Sequence, residues 1–244
     1  MSTVTIIAAR GLGDAVCSLP AAYDYVRQGF RVNLRNAGSI QFAETLPTLV
    51  PLGTQMEGTI LDMSGGMAFG GEGRIFATAS LRLGVYPLAI PTGPWLLKTD
   101  EQLDLVRALG VPDEYVVVSC EGFATNRRLD AWQLAEVAED WPIVVVCDKE
   151  RPDMPGLNLT GQTSLPELYA LLAHARAAVC VDSGPLHTAA AFRTPVLCPL
   201  GGTLNPYALC EDYTPSLWLC GQDSYTISGE DIAEGLLRLL ESTE

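Results

Sequence analysis

At 244 residues the chain has room for one large domain or for two of roughly 100 to 120 residues. Its 48% hydrophobic content excludes general disorder. The 29 acidic against 15 basic residues, a net charge of −14, exclude a surface that draws nucleic acid or anionic membrane by charge alone.

The chain begins with an apolar, β-branched run at Val4–Ala8, which reads as a first strand, followed by "ARGLGDAVCSLP" from Ala9 to Pro20. Gly11 and Gly13 match the first two glycines of a dinucleotide-binding loop, but the third place falls on Val16. No Gly-Lys-Ser/Thr follows, so the P-loop pattern fails as well. A helix is expected over Ala15–Gln28. Asp14 stands where that helix should begin, and two roles are open to it. It caps the helix, or it is a carboxylate that an acceptor hydroxyl approaches past the two glycines.

Strands are expected at Val32–Leu34 and Thr59–Asp62, before a five-glycine stretch at Gly65–Gly73 that reads as a surface or substrate loop. A helix over Asp100–Leu109 ends at Gly110-Val111-Pro112-Asp113, where a domain boundary is expected, giving domains 1–110 and 111–244. Further strands are predicted at Tyr115–Ser119, Ile143–Cys147, Ala178–Val181 and Pro195–Leu200. Helices fall between them at Asp130–Glu139, Leu165–Ala173 and Leu186–Phe192, with a last one at Glu230–Glu241 that is expected to bridge back to the first domain. Near-continuous hydrophobicity in the strands suits parallel sheets buried on both faces, so the fold class is α/β.

No stretch approaches the roughly 18 to 20 apolar residues of a membrane span, and the N-terminus lacks a secretion-signal pattern. Seven cysteines form no C-x-x-C pair and no cysteine–histidine metal spacing. Cys120, Cys147, Cys180 and Cys198 lie in or beside apolar runs and read as buried reduced thiols. A cytoplasmic protein without a metal site is expected.

The segment from Leu159 to Thr203 carries the clearest chemistry. After the strand Ala178–Val181 the chain turns through Asp182-Ser183-Gly184-Pro185 into a helix, with Pro185 suited to its first turn. Ser183 or Gly184 would cap. The start of such a helix offers free backbone N–H groups and the positive end of its dipole, a ready place for a diphosphate. Leu186 and His187 lie in this first turn, and His187 is either an ordinary helix histidine or a further donor to the same anion. Gly201-Gly202-Thr203 follows the next strand and should line the same place.

The run T-S-L-x-E-L-x-x-L-L-x-x-A, then V-D-S-G-P-x-H-x-A-A-A, then T-P-V, resembles the C-terminal signature of glycosyltransferase family 9, the heptosyltransferase-like enzymes. The opening G-L-G-D-A-V-x-S-L-P is similar to that family's N-terminal motif, and the two stand in the family's order. The resemblance is thin between Leu34 and Val111, where the chain is short. It implies a GT-B architecture: two Rossmann-like domains with parallel sheets facing a cleft, acceptor on the first and nucleotide sugar on the second. It implies inverting transfer of a heptose-like or hexose sugar from a nucleotide-diphospho-sugar, an ADP-sugar being favoured, to a carbohydrate or glycolipid hydroxyl, with no metal. Asp14 then maps onto the general base, with Gly11 and Gly13 in the acceptor-side loop. Asp182, Ser183, Gly184, Pro185, Leu186 and His187 map onto the diphosphate site.

The family also has a basic residue in a segment resembling K-x-W-P. Here the chain reads "EGFATNRRLDAW", with Arg127 at the lysine position, Arg128 beside it and Leu129 in place of tryptophan. A guanidinium grips phosphate at two points, so the substitution keeps the chemistry; a solvated surface pair is the other reading. Asp148 or Glu150, after the strand Ile143–Cys147, would accept from ribose hydroxyls, and the backbone near Thr163 would read the base. Two other readings stand beside transfer: a nucleotide-sugar epimerase or hydrolase on the same scaffold, and a non-catalytic nucleotide-sugar-binding protein.

Overall fold

A computed structural model of the chain describes residues 2–8, 11–36, 59–62, 94, 96–122, 125–201 and 214–243. Backbone contacts divide the chain into two compact units, with the boundary between Leu96 and Leu97.

In the first unit, strands β1 (Thr3–Ala8), β2 (Arg31–Asn36) and β3 (Thr59–Asp62) form a parallel sheet in the order β2-β1-β3. Thr3 pairs with Arg31 and Val4 with Thr59. The single helix expected over Ala15–Gln28 is two: α1 (Leu12–Cys17) and α2 (Leu19–Arg27). Pro20 causes the break. It has no N–H to offer the preceding turn, so it sits at the start of α2 and the chain resets at Ser18. Ala15, Val16, Cys17, Leu19, Ala21 and Ala22 are all fully buried, which is why so short a pair of helices holds.

The second unit is built on a six-stranded sheet. Its strands are β4 (Val116–Ser119), β5 (Ile143–Val146), β6 (Leu157–Asn158), β7 (Ala177–Cys180), β8 (Val196–Gly201) and β9 (Ser216–Gly221). They pair parallel throughout in the order β6-β5-β4-β7-β8-β9. This is the doubly wound order, reversing direction between β4 and β7. Every residue of β4, β5, β7 and β8 is buried, as sheets covered on both faces require. Edge strands β6 and β9 are only half-buried for most of their length, and they were not expected from the sequence. Burial pushes the Cys180 thiol up to about 12, so it stays protonated in the core.

Helices α3 (Asp100–Ala108), α4 (Ala131–Asp140), α5 (Leu165–His174), α6 (Gly184–Phe192) and α7 (Gly229–Glu241) connect and cover these strands. The boundary expected at Gly110–Asp113 lies earlier because α3 packs against α5. Thr99 caps α3 by accepting the Gln102 N–H, and its own carbonyl lies 3.2 Å from His174 Nε2 on α5. The last helix packs within the second unit. Its Ile232, Leu236, Leu239 and Leu240 join the second unit's core with Leu134 and Val137 of α4 and Val179 of β7. Among the described residues no helix is long and apolar enough to cross a membrane.

Two measurements test these assignments. Leu236→Ala, at a fully buried position, should lower the unfolding free energy by about 2–5 kcal/mol, while Leu237→Ala, half-exposed one residue on, should stay within about 0.5 kcal/mol. Urea titrations that rank the two in the other order would contradict the placement of α7. The second concerns Ser164, whose hydroxyl and N–H both donate to Glu167, at 2.6 and 2.7 Å, and hold that carboxyl below the usual carboxylate range. A depressed carboxylate contributes stability above its unfolded pKa and loses it as pH falls through its folded value. Ser164→Ala should therefore destabilise the protein at neutral pH and flatten the acid limb of the stability–pH curve.

Candidate functional site

The carboxyl ends of β4 and β7 lie side by side, with Ser119 in register with Cys180. After β4 the chain makes a narrow loop that closes on itself: Gly122 N–H donates to Arg127 O at 2.8 Å, and Leu129 N–H to Cys120 O at 2.8 Å. Leu129, where the family pattern has tryptophan, is fully buried in the core and anchors the loop's far end. Gly122 is tightly enclosed, since a Cβ there would lie 3.0 Å from Arg127 Cβ and 3.1 Å from Asp182 O and would press on both.

Arg127 reaches across to the end of β7. Its Nη2 lies 2.9 Å from Asp182 Oδ2, and its Nη1 donates to Asp182 O at 3.2 Å. Among the described residues the buried Nε–H has no partner. A guanidinium carries five N–H donors, so this grip leaves donors available. The Asp182 side chain is 11% exposed and also faces His187, whose Nε2 is 3.9 Å from Oδ1. Asp182 thus holds the Arg127 guanidinium through both its carboxylate and its carbonyl.

Helix α6 starts beside this pair. Ser183 occupies the N-cap position, yet its hydroxyl turns back to Val181 O at 2.9 Å and makes no capping bond. Pro185 sits in the first turn, as expected. The amides of Gly184 and Leu186 therefore begin a helix without a side-chain acceptor over them, the arrangement that favours an oxyanion.

The other expected residues separate. Arg128 points away and pairs with Asp130, Nε to Oδ1 at 3.0 Å. Asp130 also holds Arg151 at 3.2 Å. Asp148 and Glu150 are exposed beyond β5, and Thr163 is half-buried ahead of α5. Gly201 ends β8, while Gly202, Thr203 and the Gly65–Gly73 stretch lie outside the described residues. In the first unit, Gly11 is exposed before α1, and Gly13 and Asp14 lie within α1, which starts at Leu12. Asp14 is accordingly inside the first turn and not at the cap; its side chain is outside the described residues.

Cys147 differs from the expectation of a buried thiol. It is half-buried at the end of β5, where its Sγ donates to Lys149 O at 2.9 Å. Hydrogen bonding with the Cys120 thiol holds Cys147 below the usual thiol range and pushes buried Cys120 up. Sequence reading also missed Ser224, which bonds the backbone on either side of Arg127, and Gln133, which bonds Ser224. Among the described residues no three His, Cys, Asp or Glu side chains converge as a metal site.

Comparison with known proteins bears on this site. The model of a family described as glycosyltransferase family 9 (heptosyltransferase) matches residues 143–205. Lipopolysaccharide heptosyltransferase 3 of Escherichia coli K12 is 32% identical over an alignment of 114 residues that covers 39% of this chain and a third (33%) of that protein's length. Among solved structures, a family 9 glycosyl transferase from Veillonella parvula DSM 2008 superposes with a TM-score of 0.73 at 14% identity, covering 99% of this chain and 97% of the other. The ADP-heptose LPS heptosyltransferase II of E. coli gives 0.68 at 15% identity, covering 100% and 99%. The resemblance to glycosyltransferase family 9 is thus met in the C-terminal motif, which lies within the matched residues 143–205, and the chain shares the α/β fold of these solved family 9 and heptosyltransferase structures.

Proposed function

We propose that the protein is an inverting glycosyltransferase that takes a heptose-like or hexose sugar from a nucleotide-diphospho-sugar, an ADP-sugar first of all, and passes it to a carbohydrate or glycolipid hydroxyl. The observation that carries this reading is the Arg127 guanidinium fastened to Asp182 beside the uncapped start of α6, at the point where the strand order reverses. In doubly wound folds that point is where nucleotide ligands bind. The likeness of residues 143–205 to a heptosyltransferase family supports the choice of donor class.

In this reading the second unit receives the donor and the first the acceptor. The diphosphate lies against the Gly184 and Leu186 amides, with the His187 side chain in the same turn, and Arg127 takes it through N–H groups not engaged by Asp182. As the bond between anomeric carbon and diphosphate breaks, negative charge grows on the leaving oxygen, and these fixed donors stabilise it. Asp14 removes the proton from the attacking acceptor hydroxyl. Asp148 and Glu150 would accept from ribose hydroxyls and Thr163 would border the base. The positive charge the leaving group requires is supplied by protein groups, so the reaction proceeds without a metal in this proposal.

A thermal-shift panel of ADP-, GDP-, UDP- and TDP-sugars tests the donor, because a ligand that binds only the folded state raises its apparent stability. A product assay then separates transfer from epimerisation and hydrolysis. Arg127→Ala should weaken ADP binding by about tenfold or more, the loss expected for one charged hydrogen-bonding group. Unchanged affinity would remove Arg127 from the site. Asp14→Ala should abolish transfer while leaving ADP affinity intact, measured by product formation and calorimetry on the same preparation. Equal loss of binding and turnover would refute the role of base. Dialysis against a chelator should leave the transfer rate unchanged, and activity lost to the chelator and restored by added metal would overturn the metal-independent step.

A further inference from the structure

The turn after β9 is seated with no spare room. A Cβ on Gly201 would lie 2.3 Å from Ser224 N, one on Gly221 would lie 2.9 Å from Thr226 Oγ1, and one on Gly229 would lie 2.7 Å from Gln133 O. Real Cβ atoms do not approach backbone so closely, so Gly201 admits the segment at Asp223 and Ser224, and Gly229 lets the start of α7 meet α4, by having no side chain. Within it Ser224 is fully buried.

Ser224 touches the residues on either side of Arg127. Its Oγ accepts Arg128 N–H at 2.8 Å and lies 2.9 Å from Asn126 O and 2.8 Å from Arg128 O, to one of which it gives its single proton. Its own N–H donates to Asn126 O at 3.3 Å. Gln133, also fully buried, donates through Nε2 to Ser224 O at 3.0 Å and Ile227 O at 2.7 Å. Its Oε1 accepts Asp130 N–H at 2.9 Å, tying the segment to the start of α4. The carbonyl of Arg127 itself is held by Gly122. The backbone before, at and after Arg127 is thus fastened, leaving its side chain to span only the distance to Asp182.

We propose that Ser224, braced by Gln133, is a positioning residue for Arg127, presenting the guanidinium to a nucleoside diphosphate in an already ordered loop. This rests on the donor-site reading above and adds the element that prepares it. The physical gain is preorganisation: a loop and a long side chain that are ordered before the ligand arrives need not be ordered by it.

ADP affinity measured by calorimetry in a double-mutant cycle tests the proposal. Ser224→Ala should weaken ADP binding about tenfold, the scale of ordering one long side chain and its loop. In an Arg127→Ala background the same change should have no further effect, because the group it positions is gone. Gln133→Met keeps the buried volume and removes both bonds to the 224–227 segment. It should show a smaller loss with the same dependence on Arg127, which keeps the test open should Ser224→Ala fail to fold. Losses that add fully in the Arg127→Ala background, or a lowered melting temperature with unchanged ADP affinity, would overturn the positioning role. Unchanged affinity in Arg127→Ala alone would instead remove Arg127 from the donor site.

Discussion

The parallel pairing of β4 with β7 is the constraint from which the candidate site follows. These strands are separated in sequence by the whole of α4, β5, β6 and α5, yet they are neighbours in the sheet. From β4 the chain winds outward one way to β5 and β6, and from β7 it winds the other way to β8 and β9. Crossover connections therefore leave the adjoining carboxyl ends in opposite directions, and neither covers the place where they part. Arg127 and Asp182 meet there though 55 positions apart. The sheet order brings their backbones together, and the ion pair only completes what the register has arranged.

An ion pair in that position carries a cost. Arg127 is 28% exposed and Asp182 11%, so both give up much of their hydration, and mutual attraction alone repays that poorly. Additional bonds change the balance: Asp182 O takes a second guanidinium nitrogen, Gly122 holds the Arg127 carbonyl, and Ser224 fixes the flanking peptides. Geometry is thereby stiff before any ligand is present. Glycine has the same consequence at Gly122 and Gly201, where the missing Cβ sets how close one segment comes to another.

How legible this was depended on the kind of signal. The runs Val-Val-Val in β4 and Ile-Val-Val-Val in β5 announce buried parallel strands because both faces are apolar. The motif Asp182–His187 was readable because the turn chemistry and the proline are local. The break at Ser18 was missed because the apolar pattern runs through Pro20 without a change of phase, while the proline acts on the backbone. Strand β6 has two residues and β9 is half-buried along most of an edge, so neither shows the continuous hydrophobicity of its neighbours. Ser224 and Gln133 could not be found from sequence. Each is an ordinary polar residue whose partner lies 91 to 98 positions away, and only the packing of the last turn against the Arg127 loop gives them a role.

The overall charge makes that packing consequential. A chain of net charge −14 repels a nucleoside diphosphate at long range, so attraction has to come from groups in direct contact. Salt confines surface fields to roughly 8–10 Å, which leaves short-range geometry to decide whether the anion stays. Mobile cations on such a surface would be satisfied by the carboxylates around them, as Arg128 is by Asp130 and Lys149 by Glu121. Arg127 also meets a carboxylate, but Asp182 holds it at the mouth of the switch point and takes only part of its donor fork. What distinguishes Arg127 from its neighbour Arg128 is therefore not charge, nor backbone fastening, which Ser224 gives Arg128 as well, but the partner each side chain meets: Asp182 beside the start of α6 for one, Asp130 for the other.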